Sequence, residues 1–442
     1  MTLDQIIKRG LELGLEAVEV YASTTESNSL KLDEGKLESY SMKELFNVSI
    51  RGLKNGKMAS VTTESLDDEV VEQLLQALAR NVDALDALEP EFMFEGGSTY
   101  QPVEELNANY KNYTVAQKVE LLKKLEKGCM AVSDKIKKVG YCQYSETSQS
   151  VQLKNSKGLN LSRSYSYMST FVGPLAVEGD QSTVGWSGDI NTDFDAIEVD
   201  RMVDEATKSA LDQLGAGSIQ TGKYPVVFKR DVASEILSAF SSVFLGDSAL
   251  RRMTILTDKV GQKVFGENIT IHDDPFCQMA LVKSSFDDEG VPCTAKKVVE
   301  NGVFNGFMHT LKTANAFGQK PTGNGFKGGA GAITSQPTNL FLEQGDLTKD
   351  EIISTVQDGI YLTEVGGLHA GLNPISGDFN VQGTGFVIKN GKIDRPITLF
   401  VVSGNFYEMM NNVELIGNDI EKRFVGVACP TLKIKSLAIS GK

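Results

Sequence analysis

The chain has 442 residues, room for about three domains, and its balance of 41% apolar to 23% charged residues is that of an ordinary globular protein rather than a disordered one. Its 44 Lys and Arg against 58 Asp and Glu leave a formal charge of −14, which repels phosphate backbones and anionic lipid and argues against nucleic-acid or membrane partners. No stretch reaches the roughly 18 apolar residues of a membrane span. The opening Met1-Thr2-Leu3-Asp4-Gln5 lacks the basic and apolar regions of a secretory signal. Five scattered cysteines without a CxxC pair read as reduced thiols, so a cytoplasmic location is expected.

Thr2 and Gln5 form a capping-box start for a first helix with Leu3, Ile6, Ile7 and Leu11 as its buried stripe and Gly14 as its stop. Residues 17–22 and 28–32 alternate as strands. A further pair, 46–51 and 57–62, is joined through Asn55-Gly56, a strong hairpin signal. Ser65 with Asp68 reads as the cap of a second helix that buries Val70, Val71, Leu74, Leu75 and Leu78. The run Leu88–Ser98, with Pro and two Gly, reads as a linker.

The plan then recurs. Thr114 and Gln117 repeat the Thr-x-x-Gln start, strands continue to about Trp186, and an amphipathic helix (Val199, Val203, Ala206, Ala210, Leu214) closes the unit. Helix, antiparallel strands, helix, occurring twice, predicts two related α+β units. From about Gly222 the character changes. A strand at Tyr224–Phe228 runs into a helix near Asp231–Leu245, and short strands follow, with hairpin signals at Asn301-Gly302 and Asn390-Gly391 and one capped helix from Thr348-x-x-Glu351 to Gly359. Gly-punctuated strands with few helices favour an antiparallel barrel or sandwich. The expected fold is therefore α+β, with units at 1–95 and 96–220 and a β-rich C-terminal domain at 221–442.

Candidate chemistry is sparse. Gly323-Asn-Gly-Phe-Lys-Gly328 matches GxGxxG, but no parallel strand precedes it and no helix follows, so a glycine loop is the better reading. His272, His309 and His369 are too far apart in sequence to share a helix face as a zinc pair. His272 before Asp273-Asp274-Pro275 reads as a surface turn, with a metal or acid–base site as the alternative; His369 in a glycine-rich run suits packing or a ligand equally. No GxSxG or SxxK is present, and Cys277 and Cys293 offer no specific dyad signal. The acidic run Asp287-Asp-Glu-Gly290 reads either as a β-turn or as clustered carboxylates with a raised pKa for acid–base work.

Several segments together resemble the TldD/PmbA family, specifically its PmbA (TldE) branch. The match is carried by Phe286-Asp-Asp-Glu-Gly290, Pro337-Thr-Asn-Leu340, Gly377-Asp-Phe-Asn380, Ile388-Lys-Asn-Gly-Lys-Ile393, Val402-Ser-Gly404, Ile416-Gly-Asn-Asp419 and Pro430-Thr-Leu432. With the strand at 17–22 and Gly35-Lys-Leu-Glu-Ser39, it covers the whole chain. The resemblance implies a cytosolic zinc metallopeptidase family built as TldD–TldE pairs that trim peptides such as microcin precursors; an older label calls the PmbA branch a modulator of DNA gyrase.

In the TldD branch an HExxxH helix supplies two zinc ligands and a general base. A spacing of five places the histidines roughly 140° apart on an ideal helix, so the site needs a local bulge or kink. Aligning Pro225-Val-Val with the preceding strand puts that motif on Ser238-Ala-Phe-Ser-Ser-Val243. Ser238 and Val243 then stand at the histidines and Ala239 at the glutamate, and none can replace them. The late Cys-Gly-Lys ligand is also missing, Cys429 aligning beside it. The resemblance thus implies a subunit with no cofactor and no catalytic residues of its own, without activity alone. Its partner would be a TldD-like zinc peptidase, with a homodimer or a single chain as the alternatives when that partner is absent. Phe286, Asp287, Glu289, Gly377 and Asp378 are expected to face a cavity holding unfolded peptide. An autonomous hydrolase with another site, or a regulatory binding protein acting on gyrase, are the alternatives.

Overall fold

The computed structural model describes residues 1–86, 90–328 and 331–442. Helix α1 (Leu3–Glu12) starts on the Thr2–Gln5 capping box. It leads into β1 (Ala17–Asp33), β2 (Lys36–Lys54), β3 (Lys57–Thr63) and α2 (Asp68–Ala84). The order recurs as α3 (Val115–Val132), opened by Thr114 and Gln117, then β4 (Ile136–Asn155), β5 (Asn160–Glu178), β6 (Gln181–Val184), β7 (Ser187–Asn191) and α4 (Val199–Asp212). Residues 90–98 contain no helix or strand, in keeping with a linker, while Leu88 and Glu89 lie outside the described residues.

The two units share one sheet. β1 pairs antiparallel with β4 from Glu19–Asn155 to Lys31–Gln143, so the strands run β3-β2-β1-β4-β5-β6 with β7 on β5. The strands expected at 17–22 and 28–32 are one strand of 17 residues, because Ser23-Thr-Thr-Glu-Ser27 stays hydrogen-bonded to neighbours on both sides instead of turning. Val18, Val20 and Ala22 pack under α1 and α2, and Leu30 packs under α3 and α4. All four are even-numbered, so both helix pairs lie on one face of the sheet. The opposite face carries Glu19 and Tyr21 toward the C-terminal domain.

Three helix details differ from expectation. Val70, expected in the buried stripe of α2, is exposed. Leu11 is exposed, and Gly10 takes the buried position where α1 meets Val18. Asp67, not Ser65, caps α2, accepting from the Glu69 and Val70 N–H groups while Ser65 accepts from the Asp67 N–H.

The C-terminal domain opens with β8 (Gly222–Phe228), α5 (Arg230–Phe240), a 3-10 turn at Ser241–Phe244 and α6 (Gly246–Leu250). Short elements follow: β9 (Ile271–Asp273), β10 (Lys296–Glu300), β11 (Val303–Phe304), α7 (Leu311–Ala316), β12 (Gly325–Lys327), β13 (Ile333–Ser335), β14 (Leu340–Leu342) and α8 (Lys349–Ser354). Then come β15 (Asp358–Gly366), β16 (Asp378–Lys389), β17 (Lys392–Asn405), α9 (Phe406–Asn411), β18 (Val413–Ile416), β19 (Val427–Ala428) and β20 (Leu432–Ser440). Strands β17-β16-β15-β8-β20 close through a β17–β20 pairing at Val401–Ser440 to Ser403–Ala438, making a five-stranded barrel. α5 plugs into its core, with Phe240 stacked on Phe406 at 4.6 Å. Asn55-Gly56, Asn301-Gly302 and Asn390-Gly391 all take positive φ, as tight hairpin turns demand. Among the described residues no helix is long and apolar enough to cross a membrane.

Candidate functional site

The helix expected over 231–245 changes character where the motif alignment demands it. α5 ends at Phe240 and the chain tightens into the 3-10 turn Ser241–Phe244. Ser238 is exposed, Ala239 half-buried and Val243 fully buried. Ser238 and Ala239, with Ser234 and Glu235, form one wall of an open groove of about 420 Å³, and Leu368, Val425 and Val427 form the other. Ser234 ties that wall to the barrel, donating to the Arg230 carbonyl at 2.8 Å and accepting from the Cys429 N–H at 2.8 Å. Val243 points away into the core, so the three aligned positions do not converge on one point. A hydroxyl, a methyl and a buried isopropyl group do not fit a zinc ion. Among the described residues no three His, Cys, Asp or Glu side chains gather as a metal-ligand set.

Glu235 gives the groove its charge. Glu235 is exposed, yet partial desolvation, reinforced by Asp231 and Glu364 and opposed by Lys229, moves its carboxyl above its ordinary value. Partial desolvation does the same to the exposed Glu364 on β15, the strand beneath α5, against the pull of Lys229. Nothing in the groove supplies an activated nucleophile beside these carboxyls.

The acidic run 286–290 makes the expected β-turn, the Gly290 N–H donating to the Asp287 carbonyl at 3.0 Å, but the turn is buried and not part of an open cavity. Phe286, Asp287, Asp288 and Glu289 are each at most 4% exposed, because the loop docks on the free face of the N-terminal sheet. Asp287 folds the loop on itself, accepting from the N–H groups of Glu289 (2.9 Å), Val291 (2.9 Å) and Gly325 (2.8 Å). Burial and the neighbouring Glu289 raise its pKa; burial also raises that of Glu289, opposed by Arg51. Arg163 on β5 donates to the Phe286 carbonyl at 2.8 Å and lies 5.0 Å over its ring. Glu289 accepts from the Leu311 N–H at 2.8 Å and meets Arg51 at 3.5 Å, while Arg51 donates to Glu19 at 2.8 Å. Gly290 takes φ +80° against Leu159, where an added Cβ would sit 2.7 Å from its side chain. Phe286, Asp287 and Glu289 are therefore domain anchors, and their assignment to a peptide cavity is corrected.

The other resemblance runs also act as clasps. Gly377, at φ +86°, is buried against the Tyr407 ring. Asp378 is exposed and accepts from Ser376 (2.8 Å) and Asn405 (2.9 Å), bonds that lower its pKa. Asp419 accepts from the N–H and hydroxyl of Thr431 at 2.8 and 2.7 Å. Thr338 and Asn339 hold the buried Asp273. His272 lies in β9, stacked on Phe341 and bonded to Glu343 at 3.0 Å, not in a surface turn. The GxGxxG run forms part of the β12–β13 hairpin. Arg51, Arg163, Glu235 and Leu368 were not singled out from sequence. The only local signal for the arginines was a charge inside an alternating strand.

Family models cover most of the chain: PmbA/TldA metallopeptidase domain 1 over residues 18–85, the central domain over 109–214 and the C-terminal domain over 221–441. An uncharacterized protein of Methanocaldococcus jannaschii is 27% identical over 96% of both chains. The metalloprotease PmbA of Escherichia coli O157:H7 is 27% identical over 54% of this chain and 50% of its own length. Among solved structures, a proposed modulator of a DNA gyrase from Thermotoga maritima superposes with a TM-score of 0.91 at 27% identity over 99% of both chains. TldE from Thermococcus kodakarensis, at 23% identity over 99% of both, shares the fold with a TM-score of 0.88.

Proposed function

The chain belongs to the PmbA/TldD metallopeptidase family, and on that premise we propose that it is the metal-free subunit of a two-subunit cytoplasmic peptidase. The partner, a TldD-like relative, supplies zinc and the general base. This chain completes the cavity and presents the α5 groove to unfolded peptide, whose extended backbone can be held by strand edges.

One observation supports the reading: Ser238, Ala239 and Val243, the residues that align with the zinc-binding motif in sequence, bring no metal-binding group, and the third is buried in the core. The intact α5 and the open groove beside it support retention of a binding role after loss of chemistry. The gyrase label on a structural neighbour is not adopted, since a formal charge of −14 disfavours DNA.

Co-purification with the TldD-like protein of the same organism, followed by metal analysis and a peptide-cleavage assay, tests it. The expected result is about one zinc per pair, lost when the partner's histidines are changed. Stoichiometric zinc on this chain alone, or peptide cleavage without the partner, overturns it.

A further inference from the structure

We propose that the α5 groove selects extended peptide segments that carry a Lys or Arg side chain next to an apolar one. This deepens the functional reading above and rests on the groove being a peptide seat.

The groove offers two kinds of contact. Ala239, Leu368, Val425 and Val427 give it an apolar lining, and Glu235 is the one charged residue among those lining it. Neither Glu235 nor Glu364 has an ion-pair partner among the described residues, although the chain pairs many of its other acids. Nearby cations are committed elsewhere: Lys229 meets Asp231 at 2.6 Å, and Arg230 meets Glu421 at 2.6 Å. Asp231 and Glu235 stand four residues apart on α5, on one face of the helix, where like charges oppose each other. Glu364 approaches from β15, the strand packed beneath.

Glu235 on the groove wall and Glu364 on the neighbouring strand are both exposed, and neither closes an ion pair among the described residues. Charges of one sign gathered at the groove raise the local concentration of a cation. A bound ammonium or guanidinium would supply the missing charge, while the apolar lining takes the neighbouring side chain. A volume of about 420 Å³ suits one or two side chains, not a folded surface. A divalent cation is the weaker fit, because it needs more oxygen ligands than the groove gathers.

The test uses the full chain, alone and in complex with its TldD-like partner, and two fluorescein-labelled ten-residue peptides. One peptide carries Leu-Lys-Leu-Arg at its centre and the other Leu-Glu-Leu-Glu. Fluorescence anisotropy should give the basic peptide at least about tenfold tighter binding, weakening with salt. Glu235→Gln should reduce that preference severalfold, Glu364→Gln somewhat less, and Glu235→Lys should reverse it. Asp394→Asn, an exposed change outside the groove, should leave it alone. Equal binding of both peptides, or a preference unaltered in Glu235→Gln and Glu364→Gln, overturns the inference. If the complex still assembles, holds zinc and cleaves peptide in that event, only the proposed selectivity falls.

Discussion

Arg163 of the N-terminal sheet and Asp288 of the C-terminal domain meet at 2.5 Å, both nearly closed to solvent. Asp288 also accepts from the Lys327 N–H at 2.8 Å, so its two oxygens bind different domains. Removing one member of a buried pair leaves the other charged and unpaired. Arg163→Met should therefore destabilise the chain by about 3–5 kcal/mol, read as a fall in the urea midpoint. Arg163→Met with Asp288→Leu should recover part of the loss, though not all, because the Lys327 N–H is then orphaned. A single substitution costing under about 1 kcal/mol would show that the junction is held by other contacts.

The origin of this junction explains what could be read from sequence. Thr2–Gln5, Thr114–Gln117 and Asn55-Gly56 were legible because each partner lies within four positions and depends on local backbone geometry. The barrel was legible as a class, from Gly-punctuated strands, but not its closure by β17 and β20. The β1–β4 pairing that merges two units into one sheet was hidden, since alternation specifies a face and not a neighbour. Arg51 and Glu289 are 238 positions apart, so the acidic run stood out as unusual while the cations that explain it could not be named. The residues that align with the zinc motif could be named position by position. The groove around it was not, because Leu368 and Val425 reach it only through the barrel's connections.

His309 makes a pH prediction. It is buried, with Nδ1 3.1 Å from the Thr313 hydroxyl, and burial lowers its pKa to about 4 against the opposing pull of Asp247. The unfolded chain protonates near 6.5 while the folded chain does not. Stability is therefore intact above about pH 6.5 and falls as pH drops toward 4, by up to about 3 kcal/mol. Asp287, whose pKa is raised, runs the other way and regains stability as pH falls. The difference between wild type and His309→Gln isolates the histidine. Across pH 6.5 to 4, denaturation midpoints of the variant should fall less steeply; parallel curves would refute the assignment.

Building the zinc motif into α5 and the turn after it should fail for a structural reason. Ser238→His places an imidazole at an exposed site and should change stability by no more than about 0.5 kcal/mol. Val243→His buries one in the apolar core and should cost about 2–4 kcal/mol. The triple variant Ser238→His, Ala239→Glu, Val243→His should remain without stoichiometric zinc by elemental analysis, because position 243 faces the core from the 3-10 turn. Zinc bound at one per chain would mean that this turn repacks readily.

Asp273 tests whether the resemblance runs are clasps. It lies in β9, the middle strand of the sheet β11-β10-β9-β14-β19, and is fully buried. One oxygen accepts from the N–H and hydroxyl of Thr338 (2.7 and 2.8 Å) and the N–H of Asn339 (3.1 Å). The other accepts from Lys296 (2.9 Å) and Asn324 (2.8 Å). Asp273→Asn keeps the shape but removes the charge and turns donors against donors, for a cost of about 3 kcal/mol or more. Lys296 is partly solvated, and Lys296→Met leaves four of the five bonds, so it should cost about 1–2 kcal/mol less than Asp273→Asn. Urea denaturation of both variants gives the order. Equal losses would assign the stability to the ion pair itself; the larger loss at Asp273 would assign it to the hydrogen bonds from the Pro337–Leu340 run that bring β14 against β9.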